Sequence, residues 1–145
     1  MTTIAYREGI LAADSQTTAG HLSTSSTRSK IRKFDDGYAA FSGLCSDIPL
    51  LFDLIKGKKV EGETKNIKAS AIVMPNTGKP YEASVDSLGN LYKHPIGKFS
   101  AIGSGWIIAM GAMQSGASAK EAVKAAIKLD TYSGGPVKWK KRGQK

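Results

Sequence analysis

Residues 2–15, TTIAYREGILAADS, decide the fold because they contain two short apolar runs either side of a glycine turn. The spacing predicts strands over 2–6 and 10–14 joined by Arg7-Glu8-Gly9, with the glycine supplying turn geometry. Thr2 lies six residues before Glu8 and Asp14 six after it, so a hairpin turning at Glu8 sets Thr2 opposite Asp14. A second hairpin is expected over 27–34 and 38–42, around Asp35-Asp36-Gly37, whose Asp-Gly step is a strong turn signal. There Lys30 lies six before Asp36 and Ser42 six after, with Gly43 next, so polar groups gather at each hairpin's open end.

Working outward, residues 15–26 are rich in Ser, Thr and Gly without apolar periodicity and read as a loop. Ser46 is the expected N-cap of a short helix to Lys56, with Pro49 in its first turn, where a missing N–H does no harm. A polar connector over 57–68 leads to expected strands over 70–75, 81–86, 90–92 and 99–103. Residues 106–113 are apolar on almost every side, which predicts a helix buried between layers. Ser118 and Glu121 form a capping box for a last helix ending near Asp130, with Ala119, Val123, Ala126 and Ile127 on one stripe. This order implies an α+β fold, sheet packed on sheet with helices outside.

The chain has 145 residues, 41% hydrophobic, enough for one domain with a sizeable core. A single cysteine excludes an internal disulfide, and no Cys or His spacing suits a metal, so no cofactor is expected. Without a basic and apolar leader or a membrane-length apolar run, the chain reads as soluble and cytoplasmic. The net charge of +9 suits an acidic partner. Four of those charges lie in Lys138, Lys140, Lys141 and Arg142, read as a solvated, frayed terminus rather than a nucleic-acid reader.

A threonine hydroxyl is a poor nucleophile until a base takes its proton. A small residue at position 2 permits removal of Met1, leaving Thr2 with a free α-amine, a base already attached. A neighbouring ammonium such as Lys30 would lower that amine's pKa toward working pH, and Asp14 would hold the lysine.

Met1-Thr2-Thr3-Ile4, Ala12-Ala13-Asp14, Ser29-Lys30-Ile31-Arg32-Lys33-Phe34 and Phe41-Ser42-Gly43 resemble the opening of proteasome β subunits and of the bacterial protease HslV. Gly103-Ser104-Gly105 and Asp130-Thr131-Tyr132-Ser133-Gly134-Gly135 resemble later blocks of the same family, so the resemblance spans residues 2 to about 136. It implies a four-layer αββα N-terminal nucleophile (Ntn) hydrolase sandwich of two antiparallel sheets over 1–136, followed by a basic tail over 137–145. It also implies Thr2 as nucleophile, its amine as general base, Lys30 tuning that amine, Asp14 as partner of Lys30, and the Gly43 N–H as oxyanion donor. Ser104, Asp130 and Ser133 would support the amine, and Phe41 and Cys45 would flank the pocket for the residue before the scissile bond.

Where the family carries two substantial helices, only one short helix fits between Ser46 and Ala69, so one helical layer is thinned. The implied activity is a threonine-type peptidase or amidohydrolase working as a homo-oligomer on peptide or protein substrates, with an ATPase unfoldase as a candidate partner. The rival is a catalytically silent structural or interaction subunit, virion-associated if encoded by a bacteriophage. A third reading makes the basic surface primary, with nucleic acid or another polyanion as ligand; no binding motif supports it.

Overall fold

Side chains alternate along a strand, so a strand buried on both faces must be apolar on both, and Thr3–Arg7 (β1) meets that condition with only its last residue partly exposed. The computed structural model describes residues 2–20, 22–60 and 62–145. From β1 the chain turns back into β2 (Ile10–Ala13), then β3 (Thr17–Ala19), β4 (Leu22–Ser25), β5 (Ile31–Phe34) and β6 (Gly37–Gly43). Helix α1 (Ile48–Ile55) precedes β7 (Ala69–Pro75), β8 (Tyr81–Val85), β9 (Leu91–Pro95) and β10 (Phe99–Gly103). The chain finishes with α2 (Trp106–Gln114), α3 (Ala119–Leu129) and β11 (Lys138–Lys141).

Two antiparallel sheets form, in the orders β10-β1-β2-β11 and β5-β6-β7-β8-β9. Between them lie Ile4, Tyr6, Leu11 and Ala13 from one and Tyr38, Ala40, Ile72 and Met74 from the other. Each fully buried Ile, Leu or Met there contributes about 1.5–3 kcal/mol. Helices α2 and α3 cover the first sheet through an alanine-rich layer in which Ala5, Ala12, Ala109 and Ala122 allow close approach. The outer face of the second sheet is covered by α1 alone among the described helices, through Leu51 and Ile55. These are the four layers of an αββα sandwich, one of them thinned.

Both hairpins are tighter than the spacing argument assumed. Arg7 pairs with Ile10 across a two-residue turn, Glu8-Gly9, with both residues at positive φ (50° and 78°). This register places Asp14 across from Thr3 rather than Thr2, consistent with the Asp14 N–H donating to the Thr3 carbonyl at 3.0 Å. In the second hairpin Phe34 pairs with Gly37, so Lys30 faces Phe41 rather than Ser42, and the Phe41 N–H donates to the Lys30 carbonyl.

Other expectations need correction. The loop predicted over 15–26 contains the β3–β4 hairpin, bulged between Thr17 and Thr18; its largely exposed faces leave no apolar alternation to read. The N-cap of α1 is Asp47, not Ser46, and its carboxylate accepts from the Lys68 N–H instead of capping the helix. Helix α2 lies on the outside: Ala109 and Met113 are buried, while Trp106 and Ile107 are exposed. The expected frayed tail is instead the edge strand β11, paired to β2, whose lysines discourage a further strand from adding. The capping box on α3 is present, Ser118 and Glu121 each satisfying the other's N–H. No helix among the described residues is long and apolar enough to cross a membrane.

Candidate active site

The open ends of the two hairpins meet where the sheets face each other, and there Thr2 precedes β1, Thr3 begins it, Asp14 follows β2 and Lys30 precedes β5. All four are buried. The Lys30 ammonium donates to Thr2 Oγ1 at 2.8 Å and to Asp14 Oδ1 at 2.8 Å. The link between Thr2 and Asp14 is therefore the lysine, not a direct cross-strand pair. Asp14 also accepts from the Thr3 N–H at 3.0 Å and, on its other oxygen, from the Gly134 N–H at 3.0 Å. Burial pushes the Lys30 ammonium below the ordinary lysine value, and the Asp14 charge opposes that shift.

A second chain of hydrogen bonds reaches the Thr2 nitrogen. Thr2 N donates to Ser104 Oγ at 3.2 Å, and Ser104 Oγ donates to Asp130 Oδ2 at 2.6 Å. Ser133 Oγ donates to the same carboxylate oxygen at 2.6 Å and lies 2.7 Å from Thr3 Oγ1. Desolvation would raise the Asp130 carboxyl, but the Ser104 and Ser133 hydroxyls outweigh it and hold the group below its ordinary value. Asp130 is the extended C-cap residue of α3, half-buried, and leaving helical geometry swings its carboxylate toward the two serines.

Two glycines make this convergence possible. Gly103 has φ 95°, and a Cβ there would lie 2.0 Å from the Thr2 carbonyl oxygen. Gly43 has φ 123°, and a Cβ there would lie 2.3 Å from the Lys68 carbonyl oxygen. Gly103→Ala is expected to cost more than about 1 kcal/mol and to displace Thr2, seen as a lower urea midpoint with an unchanged slope.

A cleft opens over Thr2, lined by Lys30, Phe41, Gly43, Cys45 and Ile48. Phe41 and Cys45 both line it, and Cys45 is exposed. All the named candidates except Asp14, Ser104, Asp130 and Ser133 touch the cleft; those four stand behind or beside it. The sequence reading missed Thr3, Gly134, Arg28 and Arg32. Thr3 and Gly134 sit inside the quoted motifs, and Arg28 and Arg32 flank Lys30 at two-residue spacing, the signal for one strand face. Met1, whose removal was expected, lies outside the described residues.

No protein-family profile matches the chain. Proteasome subunit beta 1 of Thermococcus gammatolerans is 30% identical in an alignment 169 positions long, gaps included, that covers 90% of this chain and 82% of that protein. Among solved structures, HslV from Trypanosoma brucei superposes with a TM-score of 0.73 at 20% identity, covering 96% of this chain and 97% of its own. BPH from Thiobacillus denitrificans gives 0.68 at 20% identity over 99% of both chains, and its complex with epoxomicin gives 0.64 at 21% identity.

Proposed function

Because the chain belongs to the proteasome β-subunit family, with an HslV-like Ntn-hydrolase fold, we propose that it is a threonine-type peptidase whose nucleophile is Thr2 once the Met1–Thr2 bond is cut. The observation that carries this reading is the buried ammonium of Lys30 held 2.8 Å from both Thr2 Oγ1 and Asp14 Oδ1. In this reading the Thr2 amine accepts the Oγ1 proton as Oγ1 attacks the substrate carbonyl carbon. The adjacent Lys30 charge disfavours a charged amine and so keeps it available as a base. The oxyanion is received by the Gly43 N–H, on a backbone whose conformation only glycine adopts without strain.

Collapse of the tetrahedral adduct breaks the C–N bond, and the protonated amine hands its proton to the leaving nitrogen. An ester on Thr2 remains. The amine then deprotonates a water that attacks the ester, releasing the acid and restoring the hydroxyl. Ser104, linked to Asp130 and through it to Ser133, orients the amine: its hydroxyl proton is committed to the ionised Asp130 carboxylate, which leaves its oxygen to accept from the Thr2 nitrogen.

The experiment is an intact mass measurement alongside a fluorogenic peptide assay. The active protein is expected to lack Met1, to hydrolyse peptide, and to be inhibited by epoxomicin, the compound named in one structural neighbour's complex. Full retention of Met1 together with no hydrolysis would instead support a catalytically silent structural subunit. That second reading is favoured by the single short helix, α1, over the second sheet. Work as a homo-oligomer, with an ATPase unfoldase delivering substrate, belongs to the peptidase reading.

A further inference from the structure

The cleft over Thr2 is cationic. Besides Lys30 it is lined by Arg28 and Arg32, and no Asp or Glu is among the described residues lining it. The Lys30 ammonium is occupied by Asp14. Among the described residues neither Arg28 nor Arg32 makes an ion pair within 4.0 Å. Lys30 extends the pairing of β5 with β6, its carbonyl accepting from the Phe41 N–H, so Arg32, two residues on, shares its face, and the Arg32 guanidinium lies 6.0 Å from the Phe52 ring centroid. Phe52 in turn packs edge-on against Phe41, with centroids 5.2 Å apart, and Phe41 lines the cleft. The guanidinium thus sits at the rim of an apolar floor and, among the described residues, donates no side-chain hydrogen bond.

A substrate whose carbonyl carbon meets Thr2 Oγ1 directs its side chain into this cleft. We infer that the cleft selects peptides with an acidic residue on the acyl side of the cleaved bond, its carboxylate held by Arg28 and Arg32. This rests on the peptidase reading given above. The planar guanidinium forks of Arg28 and Arg32 match the two oxygens of a side-chain carboxylate. A lysine or arginine in the same place would face like charge with no acid to offset it.

The test is a set of fluorogenic peptides differing only at that residue: Glu, Gln, Phe or Lys. Glu is expected to exceed Gln in kcat/KM by about 10–100-fold, as for a hydrogen bond to a charged group, and the ratio is expected to shrink as salt rises. In the Arg28→Gln, Arg32→Gln double variant the Glu:Gln ratio is expected to fall to about one, whereas Arg32→Lys retains a preference for Glu. Hydrolysis in which Gln or Phe equals Glu would overturn the inference and leave the peptidase reading standing.

A second arm does not depend on turnover. Thr2→Ala protein is titrated with fluorescein-labelled, C-terminally amidated peptides ending in Glu or Gln, and tighter binding of the Glu peptide, read by anisotropy, is expected. Equal binding would sink the selectivity. Glu preference in a wild-type protein that hydrolyses nothing would sink the peptidase reading alone.

Discussion

Thr2→Ala is expected to lower peptide hydrolysis by about 10⁴-fold or more while leaving a folded protein. The size follows from the role: without Oγ1 no acyl-enzyme forms, and removal of a nucleophile from a catalytic unit leaves only the residual effects of binding and oxyanion stabilisation. Folding is little affected because Thr2 contributes one hydroxyl, accepting from Lys30, and one methyl group at the sheet's end. Because the donor is a buried ammonium, losing that hydrogen bond costs about 1.5–3 kcal/mol, with the Asp14 contact of Lys30 still in place. Thr2→Ser separates chemistry from shape. It keeps the oxygen and the α-amine but loses the β-branch that restricts χ1, so reduced but clear hydrolysis is expected. A Thr2→Ala protein that hydrolyses peptide at the wild-type rate would dispose of the mechanism, and a cooperative unfolding transition retained in both variants would show that loss of activity is not loss of fold.

Much of the frame was legible because its signals are local. Gly9 and Asp36-Gly37 mark two hairpins, and the Ser118–Glu121 capping box marks α3, each depending on residues within a few positions. Register was not legible. The stretch Arg7-Glu8-Gly9 is compatible with a turn centred on Glu8, and only the structure shows Glu8 itself at φ 50°, an uncommon conformation for a residue with a Cβ. That shifts Asp14 by one place, and the lysine, not the ladder, then joins it to Thr2.

Elements stabilised by distant partners were also hidden. The strand β11 reads as a run of lysines because its pairing is with β2, more than a hundred residues earlier, and because it is an edge. Lys120 over the Trp139 ring, 3.9 Å from its centroid, is a contact no spacing rule exposes. Helix α2 misled in the opposite direction. An all-round apolar sequence predicts burial on every side, yet Trp106 and Ile107 are exposed within this single chain, so the composition of that face is not accounted for by the core it helps to cover. The site motifs were legible residue by residue, but Arg28 and Arg32 were not, because a basic residue is usually solvated and only the cleft distinguishes these two.

Replacing Lys30 with alanine is expected to be the most damaging single change to the site in stability, and to lower the rate as well. Asp14 would keep its hydrogen bonds from Thr3 and Gly134 but lose its countercharge in full burial, and leaving one member of a buried pair uncompensated costs about 3–5 kcal/mol. The rate is expected to fall by about 10²–10⁴-fold, the range of a general-base contribution, because the Thr2 amine would no longer feel an adjacent cation and would stay protonated at neutral pH. The wild-type pH profile carries the same argument with its signs separated. Activity rises as the amine loses its proton and falls at alkaline pH as Lys30 loses its own, below the ordinary lysine value because burial lowers it. In that alkaline window the unfolded chain, with an ordinary lysine, binds more protons at this site than the folded one. The Lys30 contribution to folding stability therefore increases with pH there and is lost again as pH falls through the folded value. Activity and this part of stability are thus expected to move in opposite directions over the same interval. Peptide hydrolysis and urea unfolding, each measured across the alkaline range for wild type and for Lys30→Ala, check it: the opposed trends belong to the wild type, and their persistence in the variant would mean another group sets the alkaline limb.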